Sequence, residues 1–445
     1  MKMKMKMKVT VEPKGPLRGE LVPPADKSIS HRAAILAGIA DGKSIIRNYL
    51  EAADTSSTLA AMIALGAEAE IVKKGGSKGR TVVIRGRGLH GLKEPGAVLD
   101  CGNSGTTMRL LAGLLSGNPF YSVMAGDESL SCRPMGRVIV PLKRMGARIM
   151  ARQEDKYPPV SIRGGGLKGI SYEMPVASAQ VKSALLLAGL YAEGKTVITE
   201  PFASRDHTER MLSGLGAAVE TKRGAGGRNT IKLTPPEGPL KPFELEVPGD
   251  FSSAAFFIIG ALITGKSELL IKNVGINPRR TGLLSVLERM GAGIGLENKR
   301  EVSGEPVADI HVKHHGALSP FRLGGKEIPL LVDEVPVLCV AAAMAQGTSR
   351  ISGAGELRVK ESDRISAMAE GLRRMGIRVE EAKDGLSIEG GPMTGAGIES
   401  MGDHRIAMAF SIAALAARGK TRIDGAEAVG ISYPGFFSTL RRLLR

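Results

Sequence analysis

Residues 32–48 read RAAILAGIADGKSIIRN: small and apolar residues, then Gly42 among polar neighbours, then a short β-branched stretch. Taken alone, the stretch is a helix turning into a strand. Its GIADGKS segment also resembles a phosphate-binding loop, but that motif needs four residues between its glycines, and Gly38 and Gly42 are separated by three. The pattern then returns, in MRLLAGLLSGNPFYSVMAG, KSALLLAGLYAEGKTVITE, AAFFIIGALITGKSELLIKN, VLCVAAAMAQGTSRISG and IAMAFSIAALAARGKTRIDG. The turn glycines Gly42, Gly117, Gly194, Gly265, Gly347 and Gly419 recur at intervals of roughly 75 residues, the mark of an internally repeated architecture. A segment that returns in sibling units is a structural turn and not a nucleotide site.

A second helix interleaves with the first, in STLAAMIALGAEAEI, VIVPLKRMGARIM, TERMLSGLGAAVE, LLSVLERMGAGI, ISAMAEGLRRMGIRVE and FFSTLRRLLR. All but the last reach a glycine that supplies the left-handed residue closing a helix, so GAGIG at Gly291 is also a helix end. Six units of two helices and several strands fill the chain, an α/β protein. At 445 residues it exceeds one ordinary core, and two domains are expected. Pro and Gly interrupt the pattern near 22–24 and 247–249, placing hinges there. One domain is then 1–22 plus 250–445 and the other 23–249.

The longest apolar run, Ala254 to Thr264, is far short of the roughly 20 residues a membrane helix needs. The opening MKMKMKMKVTVEP alternates with period two and reads as a frayed edge strand or an added tail. Three cysteines, Cys101, Cys132 and Cys339, have no metal-type spacing and make no disulfide framework, which fits a reducing cytoplasm. HVKHH at 311–315 lacks matching acids or thiols, and no metal is implied. A net charge of +16 raises nucleic acid as a partner. Trp is absent, aromatics are 4 %, and Lys and Arg are scattered, so stacking platforms and a basic stripe are both missing. A few well-placed cations for small polyanions remain.

Polar residues gather where the helices begin: DKSISHR, DCGNSGTTMR, ASAQVK, PGDFSS, VDEVP and GDHR before the first helices, SCRPMG, SRDHTER, NPRRTG and KESDR before the second. Free N–H groups and partial positive charge make helix N-termini anion sites. Asp54, Ser56 and Asp250 read as N-caps. Lys27 with Arg32, and Arg364 in KESDR, instead stand at the unfavourable end of a helix dipole, so a ligand anion is expected to compensate them. Without it the pocket should be electrostatically strained. Arg133, Arg364 and Arg405 form a candidate clamp for a carboxylate and a phosphate.

These motifs, with SAQVK, RVKESDR, GDHRIAM and SYPGFF, together resemble the 5-enolpyruvylshikimate-3-phosphate synthases, in their second class. The resemblance spans nearly the whole chain. It implies a two-domain inside-out α/β barrel, each domain holding three of the six units around a pseudo-threefold axis. The implied reaction transfers the enolpyruvyl group of phosphoenolpyruvate to the 5-hydroxyl of shikimate 3-phosphate and releases phosphate. No cofactor, metal, nucleic acid or membrane is implied, and a cytoplasmic monomer is expected.

Carried over by position, Lys27, Asp333 and Glu361 are the catalytic residues. Lys27, Ser28, Arg32, Ser178, Ala179, Gln180, Ser204, Arg205, Asp333 and Lys360 would bind shikimate 3-phosphate. Lys27, Asn103, Gly105, Arg133, Gln180, Arg364 and Arg405 would hold phosphoenolpyruvate. Addition of an alcohol to a vinyl carbon needs a base for the hydroxyl proton and an acid for the methylene. Asp333 is the expected base, following an apolar strand IPLLVDE whose surroundings would strengthen it; Asp333 with Glu334 also reads as a capping pair for the next helix. Ile431 stands where some members carry lysine, Ala25 replaces a glycine, and NPRR departs from Asn-x-Thr-Arg, so Asn277 and Arg280 receive no role.

Two rivals remain. A UDP-N-acetylglucosamine enolpyruvyl transferase would carry Lys-Asn where this chain has Lys27-Ser28, and a loop cysteine several residues ahead of an Arg-Pro; Cys132 abuts Arg133. A polyanion- or RNA-binding protein on a related fold would tolerate loss of any single acid. The enzyme reading draws groups from both domains and therefore expects closure on the ligands.

Overall fold

A computed structural model describes residues 7–72 and 79–444. The chain divides into two compact units: unit 1 is Met1–Pro24, Pro248–Glu301 and Pro306–Arg445, and unit 2 is Ala25–Val247 with Val302–Glu305. Residues 1–6 of the Met-Lys run lie outside the described residues, while Lys8–Val11 is an edge strand.

Unit 2 holds α1 (Lys27–Ile39) and α2 (Ala53–Ala64), α3 (Gly105–Ser116) and α4 (Gly136–Arg144), the single left-handed turn α5 (Arg152–Asp155), and α6 (Ala179–Gly189) with α7 (His207–Gly214). Unit 1 holds the pairs α8 (Phe251–Ile263) and α9 (Gly282–Arg289), α10 (Val335–Ala343) and α11 (Arg364–Arg374), and α12 (His404–Ala416) and α13 (Phe436–Leu443). Every residue of α8 and of α10 is buried. Helices apolar on all sides belong in an interior, and these two lie in the core of unit 1. The second helix of each pair is amphipathic; α9 buries only Leu283, Val286 and Leu287. Two separate apolar cores result, one per unit.

Sheets cover these helices. In one repeat Ser171–Glu173 runs parallel to Thr196–Glu200, which pairs antiparallel with Asn229–Thr234, itself antiparallel to Ala218–Arg223. Among the described residues, five sheets have four strands in this order. In unit 2 the first repeat borrows its parallel strand, Glu244–Glu246, from the unit's end. Unit 1 borrows from the amino-terminal segment, where Arg18–Leu21 lies parallel to Glu268–Ile271. Its last repeat has three strands, and there Lys8–Val11 pairs antiparallel with Thr421–Asp424, filling the position a hairpin holds elsewhere.

The second helices end as the glycines require. Gly66, Gly146, Gly216, Gly291 and Gly376 all have φ between 79° and 101°. After α11, Gly376 N–H donates to Arg373 C=O at 3.0 Å and Ile377 N–H to Leu372 C=O at 3.0 Å, the two bonds of a Schellman closure.

Three local expectations are corrected. Ala52 occupies the cap of α2, with Asp54 and Ser56 inside the first turns; Asp54 instead meets Lys27. Asp250 does cap α8, accepting from Ser252 N–H at 2.9 Å. The run before Asp333 is not a strand: Ile328–Leu330 is a short 3-10 turn, because Pro329 cannot donate to a ladder. Glu334 stands at the cap of α10 but makes no side-chain cap bond.

Candidate active site

In unit 2 the amino ends of α1, α3 and α6 are tied to one another. Asp26 caps α1, accepting from Ile29 N–H at 2.9 Å, and Lys27 in the first turn donates to Asp54 Oδ2 at 3.0 Å. Arg32 is buried; its Nε donates to Thr208 Oγ1 and its Nη2 to Ser183 Oγ, both at 2.7 Å, and its Nη1 reaches the carbonyl of Ser28 at 3.0 Å. Burial pushes the Arg32 guanidinium down to about 10; Glu209 opposes this and Arg205 adds to it. Arg32 therefore stays charged at neutral pH.

Ser178 caps α6, whose first residue is Ala179. Gln180 donates to Thr106 Oγ1 at 3.0 Å and accepts from Arg109 at 2.8 Å, which joins α6 to the start of α3. At that same start Asn103 accepts from Arg133 at 2.5 Å and donates to Asp127 at 2.8 Å. Gly105 begins α3 in a confined place: a Cβ there would stand 2.8 Å from Arg109 Nη1 and 3.5 Å from Arg133 Nη1. Ser204 donates to Glu200 at 2.6 Å over a fully buried Lys182, which pairs with Glu200 at 3.1 Å and Glu209 at 2.7 Å. Arg205 is half-buried beside it.

Unit 1 gathers α8, α10, α11 and α12 in the same way. The Asp333 carboxylate faces three guanidiniums: Arg364 at 3.4 Å, Arg405 at 3.5 Å and Arg280 at 3.9 Å. Arg405 also donates to the Asp333 carbonyl at 3.0 Å. Arg364 is buried and reaches Glu361 at 2.6 Å and Asp403 at 2.8 Å. Its burial opposes the charge, but Asp403, Glu361 and Asp333 outweigh burial and raise its proton affinity above that of a free arginine. Asp403 caps α12 by accepting from Arg405 N–H at 2.8 Å, fixing both arginines from one carboxylate. Lys360 pairs with Glu356 at 2.7 Å.

The expected apolar setting of Asp333 is thus an ionic one. The expected strain is also relieved inside the protein, since Lys27 and Arg364 find acids of the chain itself. Within unit 2, Lys27, Ser28, Arg32, Asn103, Gly105, Arg133, Ser178, Ala179, Gln180, Ser204 and Arg205 lie at or beside these helix starts; within unit 1, Asp333, Glu361, Arg364 and Arg405 share one ion cluster, and Lys360 adjoins it. Sequence reasoning missed Asp54, Arg109, Lys182, Arg280 and Asp403. One signal pointed to Arg280: NPRR precedes a second helix just as SCRPMG and KESDR do.

Among the described residues no group of three or more His, Cys, Asp or Glu is arranged to hold a metal, and no helix is long and apolar enough to cross a membrane. Cys101, Cys132 and Cys339 are all free thiols.

The model of the EPSP synthase family, 3-phosphoshikimate 1-carboxyvinyltransferase, matches residues 11–440. The chain belongs to the EPSP synthase family. Its relatives in that family include the 3-phosphoshikimate 1-carboxyvinyltransferase of Thermodesulfovibrio yellowstonii, 51% identical over 428 residues, covering 96% of this chain and 97% of the relative. That of Pelobacter propionicus is also 51% identical, over 98% of both chains. A solved EPSP synthase from Acinetobacter baumannii superposes with a TM-score of 0.84 at 46% identity, covering 99% of this chain and 98% of the other. An enolpyruvyl transferase of Streptomyces tendae, 19% identical with a TM-score of 0.78, shares the fold. The two-domain enolpyruvyl transferase fold is therefore that of this EPSP synthase family member.

Proposed function

We propose that the chain transfers the enolpyruvyl group of phosphoenolpyruvate to the 5-hydroxyl of shikimate 3-phosphate, the activity named for its relatives. The observation that carries this for the site is Asp333 held among Arg364, Arg405 and Arg280, with Glu361 on the same Arg364. A carboxylate so placed takes the hydroxyl proton, and the guanidiniums bind the phosphate and carboxylate of phosphoenolpyruvate and stabilise charge as phosphate departs. Glu361 exchanges the proton at the methylene carbon, and Lys27 assists proton transfer.

Arg32, Ser28, Ser178, Ala179, Gln180, Ser204, Arg205 and Lys360 are assigned to shikimate 3-phosphate. Lys27, Asn103, Gly105, Arg133 and Gln180, with Arg364 and Arg405, are assigned to phosphoenolpyruvate. Both substrates are polyanions, which suits helix starts carrying free N–H groups. The rival sugar-nucleotide transferase is disfavoured by Ser28 and by Cys132, which directly precedes Arg133. A reducing compartment, a monomer and no nucleic-acid partner accompany this reading, and free thiols support the first.

The test is phosphate release from phosphoenolpyruvate with and without shikimate 3-phosphate, in the native protein and in Asp333→Asn. Release is expected only with both substrates, and Asp333→Asn is expected to bind both while losing turnover by a factor of about 100 or more, as for loss of a general base. Native turnover in Asp333→Asn would remove Asp333 from the mechanism.

A further inference from the structure

Arg280 lies just before α9, a segment the reaction does not call upon, yet its side chain is only 4% exposed. Its Nη2 donates to Asp250 Oδ1 and to Ser252 Oγ, both at 2.8 Å, and its Nη1 lies 3.5 Å from Glu334 Oε1 and 3.9 Å from Asp333 Oδ2. One planar fork thus joins the cap of α8, the first turn of α8 and the two consecutive acids ahead of α10, a geometry suited to guanidinium and not to an ammonium. Glu334 is itself fully buried and bonded to Ser252 Oγ. An uncompensated charge at that depth is strongly disfavoured, so the Arg280 charge holds the Glu334 side chain inward.

We propose that Arg280 is a positioning residue for Asp333, acting through Glu334 and through its own charge. This rests on the reading of Asp333 as the base. Fixing Glu334 inward leaves the Asp333 carboxylate to face Arg364 and Arg405, while the Asp333 carbonyl is anchored by Arg405. The groups around Asp333 are then Arg280, ahead of α9; Glu334; Glu361 and Arg364 from α11 and its approach; Asp403 and Arg405 at α12; and Asp250 at α8. Removing Arg280 subtracts one of three cations from this set and frees the neighbouring acid to swing.

The experiment is steady-state kinetics with phosphoenolpyruvate and shikimate 3-phosphate across pH for Arg280→Met, Arg280→Lys, Arg280→Met with Glu334→Gln, and Asp333→Asn. The double variant removes the cation together with Glu334, one of the two buried carboxylates it neutralises, and leaves Asp250 its bonds from Ser252 and Ser253, so it is less destabilised than Arg280→Met. It is expected to lose kcat roughly 10- to 100-fold with both KM values changed less than about threefold. The acidic limb of the kcat/KM profile of Arg280→Met should move upward by roughly one pH unit, the effect of losing a cation about 4 Å from the carboxylate, and that of the double variant by less, because the Glu334 charge is lost with it. Arg280→Lys should keep the limb and lose part of kcat. Native kcat in the double variant overturns the inference. Loss of turnover in Asp333→Asn alongside that result overturns the inference alone, whereas native turnover in Asp333→Asn overturns the reading beneath it as well.

Discussion

His31 is enclosed in α1, where its Nδ1 and Thr58 Oγ1 share a hydrogen bond of 2.7 Å, and Thr58 meets Thr107 at 2.6 Å. Burial first, then the charges of Lys27 and Arg32, hold its proton affinity well below that of a free histidine. The folded form therefore stays neutral while the unfolded chain takes a proton below about 6.5. Stability from this residue is complete above that value and is lost as pH falls from it, at up to about 1.4 kcal/mol per pH unit. Urea unfolding of His31→Gln at pH 7 and pH 5 should show a shallower loss than the native protein; equal losses would count against it. Lys182 makes a different case. Its buried charge stands between Glu200 and Glu209, so Lys182→Met removes the ammonium that two buried carboxylates share and should cost about 3–5 kcal/mol. Adding Glu200→Gln and Glu209→Gln should return most of that stability, since the charges are then gone together. Under the proposed function, Ser204 loses its support in Lys182→Met, and KM for shikimate 3-phosphate should rise more than KM for phosphoenolpyruvate.

At the scale of helices and strands, the glycine closures carry the clearest expectation. Gly376 holds φ at 87° with only Thr394 and Pro392 near a would-be Cβ, so Gly376→Ala meets backbone strain and little crowding. The expected cost is about 1–2 kcal/mol, read by thermal or urea unfolding, and Gly391→Ala, which has open space and no positive φ, should cost less. These closures also explain why the helix pairs were legible. A closing glycine and an apolar face are local signals, and repetition returned each of them several times. The partners of the cations were not legible in the same way. Lys27 meets Asp54, Arg364 meets Asp403, and Arg280 meets Asp250 and Glu334, pairs separated by tens of residues whose meeting depends on how the helices assemble. The Asp333 segment misled for a local reason: an apolar run containing Pro329 looks strand-like in composition but cannot complete a ladder.

For the molecule as a whole, chain connectivity distinguishes the two units. Unit 2 is nearly contiguous: 25–247 contains all its helix pairs, and only the 302–305 turn comes from elsewhere, supplying Glu305 to His207 at 2.7 Å. A fragment of residues 25–247 should fold cooperatively by circular dichroism and urea titration, at reduced stability because His207 loses that partner. A fragment of residues 248–445 should not, since it lacks the strands that pair with Glu268–Ile271 and Thr421–Asp424. A cooperative transition in the second fragment would show that those two pairings are dispensable. The same connectivity sets a timetable for the growing polypeptide. Translation at about 5–20 residues per second delivers the partner of Lys8–Val11 roughly 20 to 80 seconds after that strand has left the ribosome. Lys8–Val11 is thus among the last strands to be seated, and a nascent chain halted before residue 421 would carry it as an unpaired edge open to unwanted association.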